Sequence, residues 1–171
     1  MVELIKSEMN GYYCNTDPGE PGWNRPRLSI NDSEARFISE FARDRTVLEI
    51  GTGLGVSTRK MAEVAKYVYT VDIDPWVKDA IAPNLPDNVY FFSSINDYGI
   101  MPGFDMAFVD GCHDSAPCLE DINNVKRLVK VGGVILFHDY HMSSVSRACA
   151  MSKLNVVYVH TVAGVGVAWN D

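Results

Sequence analysis

Leu48-Glu49-Ile50-Gly51-Thr52-Gly53-Leu54-Gly55-Val56-Ser57 joins a short apolar run to a polar helix start through three alternating glycines. Thr46–Ile50 reads as a buried strand, and the helix after the glycines extends to about Lys66. Glycine allows the backbone to approach a ligand closely, and a helix start presents unpaired N–H groups. A dinucleotide fold calls for a small residue at the position of Val56, giving Gly-x-Gly-x-x-Gly. Val56 breaks that pattern, which disfavours a nicotinamide oxidoreductase. Glu49, just ahead of the glycines, would repel a pyrophosphate.

Working outward, strands and helices alternate. Asn31 with Glu34 three residues on is a capping-box signature, and Ala35, Phe37, Ile38, Phe41 and Ala42 then share a helical face. Further strands are predicted at Tyr67–Asp72, Asn88–Ser93, Phe104–Asp110 and Gly133–His138. Asp74 caps a helix opened by Pro75. The helix after the fourth strand places Cys118, Ile122, Val125 and Val129 on one side. Ser143 or Ser144 opens a helix to Leu154. Asn155–Thr161 and Gly164–Trp169 are joined by a turn too short for a crossover, so they form an antiparallel hairpin. The pattern predicts a Rossmann-like α/β domain over 31–171, mainly parallel, with helices on both faces. Residues 1–30 form a separate aromatic and Gly/Pro loop segment. Its Tyr12, Tyr13 and Trp23 suit a lid, an acceptor wall, a cover for the sheet edge or a homodimer contact.

The 171 residues make one domain of ordinary size. Apolar residues at 47% and charged residues at 22% exclude disordered and fibrous classes. No run approaches the roughly 20 apolar residues of a membrane span. The opening Met1 to Met9 carries two glutamates and does not read as a secretory signal. A net charge of −7 and scattered basic residues disfavour nucleic acid and leave a small molecule as the expected partner. Cys14, Cys112, Cys118 and Cys149 lack the paired spacing of structural zinc sites and are expected to be reduced thiols in a cytoplasmic protein.

Open parallel sheets bind ligands beyond their carboxyl strand ends. There, Glu49 suits an ammonium group and Ser57 a carboxylate, together an amino-acid zwitterion. Asp72 at the second strand end can accept from a ribose diol. Ile73 can pack on a purine, and Ser93 or Ser94 can hydrogen-bond the base. Gly51, Thr52, Gly53, Gly55 and Asp110 complete this surface. Amino acid, ribose and purine across three strand ends describe S-adenosylmethionine.

From about Asn31 onward the chain resembles the class I S-adenosylmethionine-dependent methyltransferases. Glu49-Ile-Gly-Thr-Gly-Leu-Gly-Val-Ser57 and Val71-Asp72-Ile-Asp-Pro75 are similar to the cofactor motifs of catechol O-methyltransferase-like enzymes. Phe108-Val-Asp110-Gly-Cys-His113, Asp121 and Val131-Gly-Gly-Val-Ile-Leu-Phe-His138-Asp139-Tyr140 resemble the small bacterial and phage group called methyltransferase family 24. Cys112, Asp114 and Ser115 depart from that group's Asp, Ser and Tyr. The resemblance implies a seven-stranded sheet of order 3-2-1-4-5-7-6 and methyl transfer to a small molecule, most readily at oxygen.

Asp110 and Asp139 end adjacent strands, and two carboxylates so placed share a divalent cation or raise one another's pKa. In the catechol-like enzymes the matching positions bind Mg²⁺ with an Asn as third ligand, where this chain has Tyr140. Without a metal, His113, just past a strand end beside Asp110, is the candidate base, ahead of His141, with Asp110 and Asp139 the other expected catalytic residues. His138 reads as a packed strand residue. An aminopropyl transferase on the same fold and a cofactor-binding module without turnover are the alternatives. The first is opposed by Glu49 and Ser57, and the second is distinguished by binding without transfer.

Overall fold

A computed structural model describes residues 4–6, 12–15, 28–98 and 103–171. Three short strands, β1 (Leu4–Lys6), β2 (Tyr12–Asn15) and β3 (Leu28–Asn31), form an antiparallel sheet. β2 thus interrupts the segment expected to be a loop; Trp23 lies outside the described residues. Helix α1 (Asp32–Ala42) begins at the expected cap. Asn31 Oδ1 accepts from the amides of Ser33 (2.9 Å) and Glu34 (3.0 Å), and Asn31 Nδ2 donates to Glu34 Oε2 at 2.8 Å.

The main sheet contains β4 (Thr46–Ile50), β5 (Tyr67–Val71), β6 (Val89–Phe92), β7 (Phe104–Val109), β8 (Val129–Phe137), β9 (Val157–Val159) and β10 (Val165–Trp169). Its order is β6-β5-β4-β7-β8-β10-β9. Counted within this sheet alone, that is 3-2-1-4-5-7-6. β10 pairs antiparallel with β8 and β9, and the other pairs are parallel.

Helices α2 (Val56–Ala62), α3 (Ser115–Leu128) and α4 (Ser143–Met151) supply the crossovers, together with the helical turns Val77–Ile81 and Ala82–Asn84. α2 stops short of Lys66 because its end folds back: the amides of Val64 and Ala65 return to Met61 O, and Lys66 N turns to Arg45 O. β8 starts directly where α3 ends, earlier than the glycine pair Gly132-Gly133 suggests.

Each sheet face carries its own apolar core. Leu48, Ile50, Ala107, Val109, Ile135 and Phe137 pack under α3 and α4. Val47, Met106, Phe108, Leu136, Val165 and Val167 pack with residues of α1 and α2. Burying each large apolar side chain stabilises the fold by about 1.5–3 kcal/mol. Strand alternation decides the membership, because successive side chains point to opposite faces.

The register places the site. Ile50 pairs with Val71 and Val109, and Val109 with Phe137. Gly51, Asp72, Asp110 and His138 follow these residues in sequence and so emerge in one row along the carboxyl edge.

Candidate active site

A cavity of about 760 Å³ opens above that row, within the size range of small-molecule sites. Gly51, Thr52, Gly53 and Ser57 line one side, and Asp72, Ile73 and Ser94 the next. Asp110, His113 and Asp139 close the far end. The strand–glycine–helix turn is possible because Gly51 adopts φ +95°; a Cβ there would stand 2.2 Å from Asp110 O. Asp72 Oδ2 accepts from Gly53 N and Oδ1 from Asp74 N, both at 2.9 Å, which fixes its carboxylate while leaving further lone pairs. Ile73 beside it is 85% exposed, an apolar side chain at the cavity mouth. Ser94 Oγ accepts from Asn96 N at 3.2 Å.

Two expected positions depart from this wall. Glu49 lies on the Val47 face of β4, fully buried, and its oxygens are taken by Ser57 Oγ (2.5 Å), Thr58 Oγ1 (2.5 Å) and Thr70 Oγ1 (2.7 Å). Strand alternation turns it beneath α2, so it is one layer behind the cavity and makes no direct contact there. Burial pushes its carboxyl up to about 7 despite the three hydroxyls. Gly55 is the cap of α2, and its open side faces Arg59, Ile81 and Leu85 rather than the cavity.

At the far end, His113 Nε2 lies 2.8 Å from Asp139 Oδ2 and 3.8 Å from Asp110 Oδ1. That nitrogen is shielded from solvent yet has no aligned hydrogen-bond partner. One ligand atom from each of Asp110, His113 and Asp139 falls within 4.8 Å of the other two. The Asp139 carboxylate beside it raises the pKa of His113. Burial works against ionisation of Asp139, but His113 and His138 outweigh it and hold that carboxyl well below the usual range. Asp139 itself has φ 52°, a conformation few non-glycine residues adopt. Tyr140, at the third ligand position implied by the resemblance, is not on the cavity wall; its ring lies 5.7 Å from that of Tyr158.

Pro117, which no motif singles out, also lines the cavity, as do Cys112 and Asp121, named in the sequence only as motif positions, and His141, the lesser candidate base. Burial pushes the Asp121 carboxyl up to about 6. Pro117 and Asp121 are four apart on α3, the spacing that puts both on one helix face. His138, expected to be packing, is 6% exposed yet reaches both site carboxylates. Among the described residues Cys112, Cys118 and Cys149 are free thiols, Cys112 exposed and the other two buried.

Residues 48–140, more than half of the chain, match the family model of a methyltransferase domain, methyltransferase family 24, and the chain belongs to that family. It is a class I S-adenosylmethionine-dependent methyltransferase domain. It is 32% identical over 115 residues to an uncharacterised protein, R132, of Acanthamoeba polyphaga mimivirus, covering 57% of this chain and 52% of the relative. It is 28% identical over 120 residues to ribosomal RNA small subunit methyltransferase A of Syntrophus aciditrophicus (strain SB), covering 70% and 41%. The chain therefore spans about half or less of the curated relatives it matches.

Among solved structures, an O-methyltransferase from Bacillus cereus with S-adenosylhomocysteine superposes with TM-score 0.68 at 16% identity, covering 82% of each chain. The O-methyltransferase TomG of Streptomyces achromogenes, bound to S-adenosylmethionine, gives 0.67 at 16%, covering 82% and 81%. A tRNA (m1A58) methyltransferase from Aquifex aeolicus gives 0.65 at 20%, covering 86% and 72%. At these identities the likeness concerns the fold. Among the described residues, no helix is long and apolar enough to cross a membrane.

Proposed function

We propose that this chain transfers the methyl group of S-adenosylmethionine to a hydroxyl oxygen of a small molecule. The observation that carries this reading is a single cavity joining the glycine turn and Asp72 to the Asp110–His113–Asp139 cluster. Asp72 accepts from the ribose diol with the lone pairs its backbone donors leave free. Ile73 and Ser94 flank the adenine, one by apolar contact and one by a hydrogen bond. The amino-acid end lies against Ser57 and the Gly51–Gly53 backbone, with Asp110 facing the ammonium group. Glu49 acts from behind by fixing the Ser57 hydroxyl. The sulfonium is already activated, so in-line positioning of the acceptor supplies most of the rate.

The acceptor end fits a divalent cation. His113 Nε2 is shielded, unaligned with any partner and faces two carboxylates, an arrangement a shared positive charge would satisfy. Asp110, Asp139 and His113 would hold it, and the imidazole nitrogen admits Mn²⁺, Fe²⁺ or Zn²⁺ beside Mg²⁺. When bound, such an ion orients a substrate hydroxyl and lowers its pKa. His113 is a poor free base here, because the nitrogen in question faces Asp139 rather than open cavity. An RNA acceptor is the second reading, supported by the named activities of two relatives and opposed by the net charge of −7.

Turnover of a panel of phenols, sugars and amines with radiolabelled cofactor, against unmodified RNA transcripts, tests the proposal. Label on a small hydroxylated acceptor supports it, and label on RNA alone overturns it.

A further inference from the structure

Glu34, in the first turn of α1, is fully buried although nothing in the cofactor reading uses it. Its Oε1 accepts from Thr161 Oγ1 and from Ala163 N, both at 2.6 Å. Its Oε2 accepts from Asn31 Nδ2 and lies 3.3 Å from His138 Nε2. The opposite ring nitrogen, His138 Nδ1, is 3.1 Å from Asp110 Oδ1 and 3.2 Å from Asp139 Oδ2. A carboxylate oxygen accepts, so the two ring nitrogens of His138 are placed as donors, Nε2 to Glu34 and Nδ1 to the site carboxylates. The ring is therefore braced on Glu34 at one edge and shared between the two site carboxylates at the other.

The same glutamate holds the cavity wall. Thr161 to Ala163 forms the turn before β10, His141 Nδ1 donates to Ala163 O, and Tyr140 N donates to Gly164 O at 2.9 Å. His141 lines the cavity. One buried carboxylate thus ties α1, the C-terminal hairpin and the acceptor end together.

We propose that His138 is a positioning residue of the transfer site: anchored by Glu34, its Nδ1–H spans Asp110 and Asp139 and sets the gap that His113 Nε2 faces. This rests on the acceptor-end reading above. A ring that merely fills space against Phe108, whose centroid is 6.1 Å away, would need no donor at Nδ1.

Two amides separate these roles. The side-chain nitrogen of asparagine falls near the place of Nδ1, and that of glutamine near Nε2. His138→Gln keeps a donor for Glu34 and loses the one shared by Asp110 and Asp139; His138→Asn does the reverse. Mn²⁺ affinity by electron paramagnetic resonance should fall roughly tenfold or more in His138→Gln and recover most of that loss in His138→Asn, the scale of a lost outer partner of a metal ligand. The His113 ring nitrogen resonances should move in His138→Gln and stay near their wild-type positions in His138→Asn. S-adenosylhomocysteine should still bind both through Asp72 and the glycine turn, weakened at most slightly in His138→Gln where Asp110 loses a donor. A Mn²⁺ loss far larger than the loss of cofactor affinity thus separates this proposal from the cofactor reading. Equal losses in both variants, or unmoved His113 resonances in His138→Gln, would overturn it. If the wild-type chain binds no Mn²⁺, the metal reading fails and the resonances alone decide. Should either variant fail to fold, Glu34→Gln, which weakens the brace and keeps its shape, is expected to shift the same resonances; no shift overturns the proposal.

Discussion

His113 Nε2 stands 2.8 Å from Asp139 Oδ2 and 3.8 Å from Asp110 Oδ1, one imidazole nitrogen facing two strand-end carboxylates. If a cation bridges these groups, Asp139→Asn and His113→Ala should each weaken Mn²⁺ binding by more than about tenfold, the scale set by losing a ligand or its support. Calorimetry with S-adenosylhomocysteine is the control and should change little. Undiminished Mn²⁺ binding in both variants would remove the pair from the ligand set.

Asp72 is held rigid by the amides of Gly53 and Asp74. Asp72→Ala should therefore cost about 1–3 kcal/mol of cofactor affinity, the range for a lost charged hydrogen-bond partner. The chain should keep its melting temperature within a few degrees, because the carboxylate is only half buried. An unaltered dissociation constant would refute the ribose assignment.

Glu49 makes a pH-dependent contribution whose sign is opposite to that of an ordinary ion-paired acid. Its folded carboxyl titrates near 7 against 4.5 when free, so between those values the folded state holds more protons than the unfolded. Stability from this group is complete below about 4.5 and is lost as the pH rises to about 7. Wild type should lose roughly 2–4 kcal/mol across that window relative to Glu49→Gln, since each tenfold change in proton affinity is worth about 1.4 kcal/mol. Urea unfolding of both proteins at several pH values measures the difference. Parallel curves would mean that the carboxyl is not raised.

Gly51 sits at φ +95° with its missing side chain against the Asp110 carbonyl. Gly51→Ala combines backbone strain with a clash and should destabilise the fold by roughly 2–4 kcal/mol. A variant as stable as wild type would show that the turn can relax.

The sheet was legible because its signals are local. Thr46–Ile50 is an unbroken apolar strand stopped by glycine, and the Asn31–Glu34 cap is written within four residues. Even the burial of Glu49 was available, since period-two alternation sets it on the same face as Val47 rather than Ile50. The acceptor end was only half legible. Asp110 and Asp139 announce themselves as strand-end carboxylates, but Glu34 reads as a capping residue and nothing more. Its other partners, His138, Thr161 and Ala163, are 104, 127 and 129 residues away, a separation no periodicity spans. Tyr140 takes the third ligand place only through the family resemblance, whereas the backbone turn at Asp139 sends the next side chain toward Tyr158. The short N-terminal strands lack alternation long enough to register.

In the proposed function one cofactor molecule lies across the glycine turn and Asp72. Titration calorimetry of the purified chain with S-adenosylhomocysteine tests this most directly. One-to-one binding, weakened by about 1–3 kcal/mol in Asp72→Ala, is the expected result. A folded wild-type chain that gives no heat with it, and none with S-adenosylmethionine, would rule that placement out.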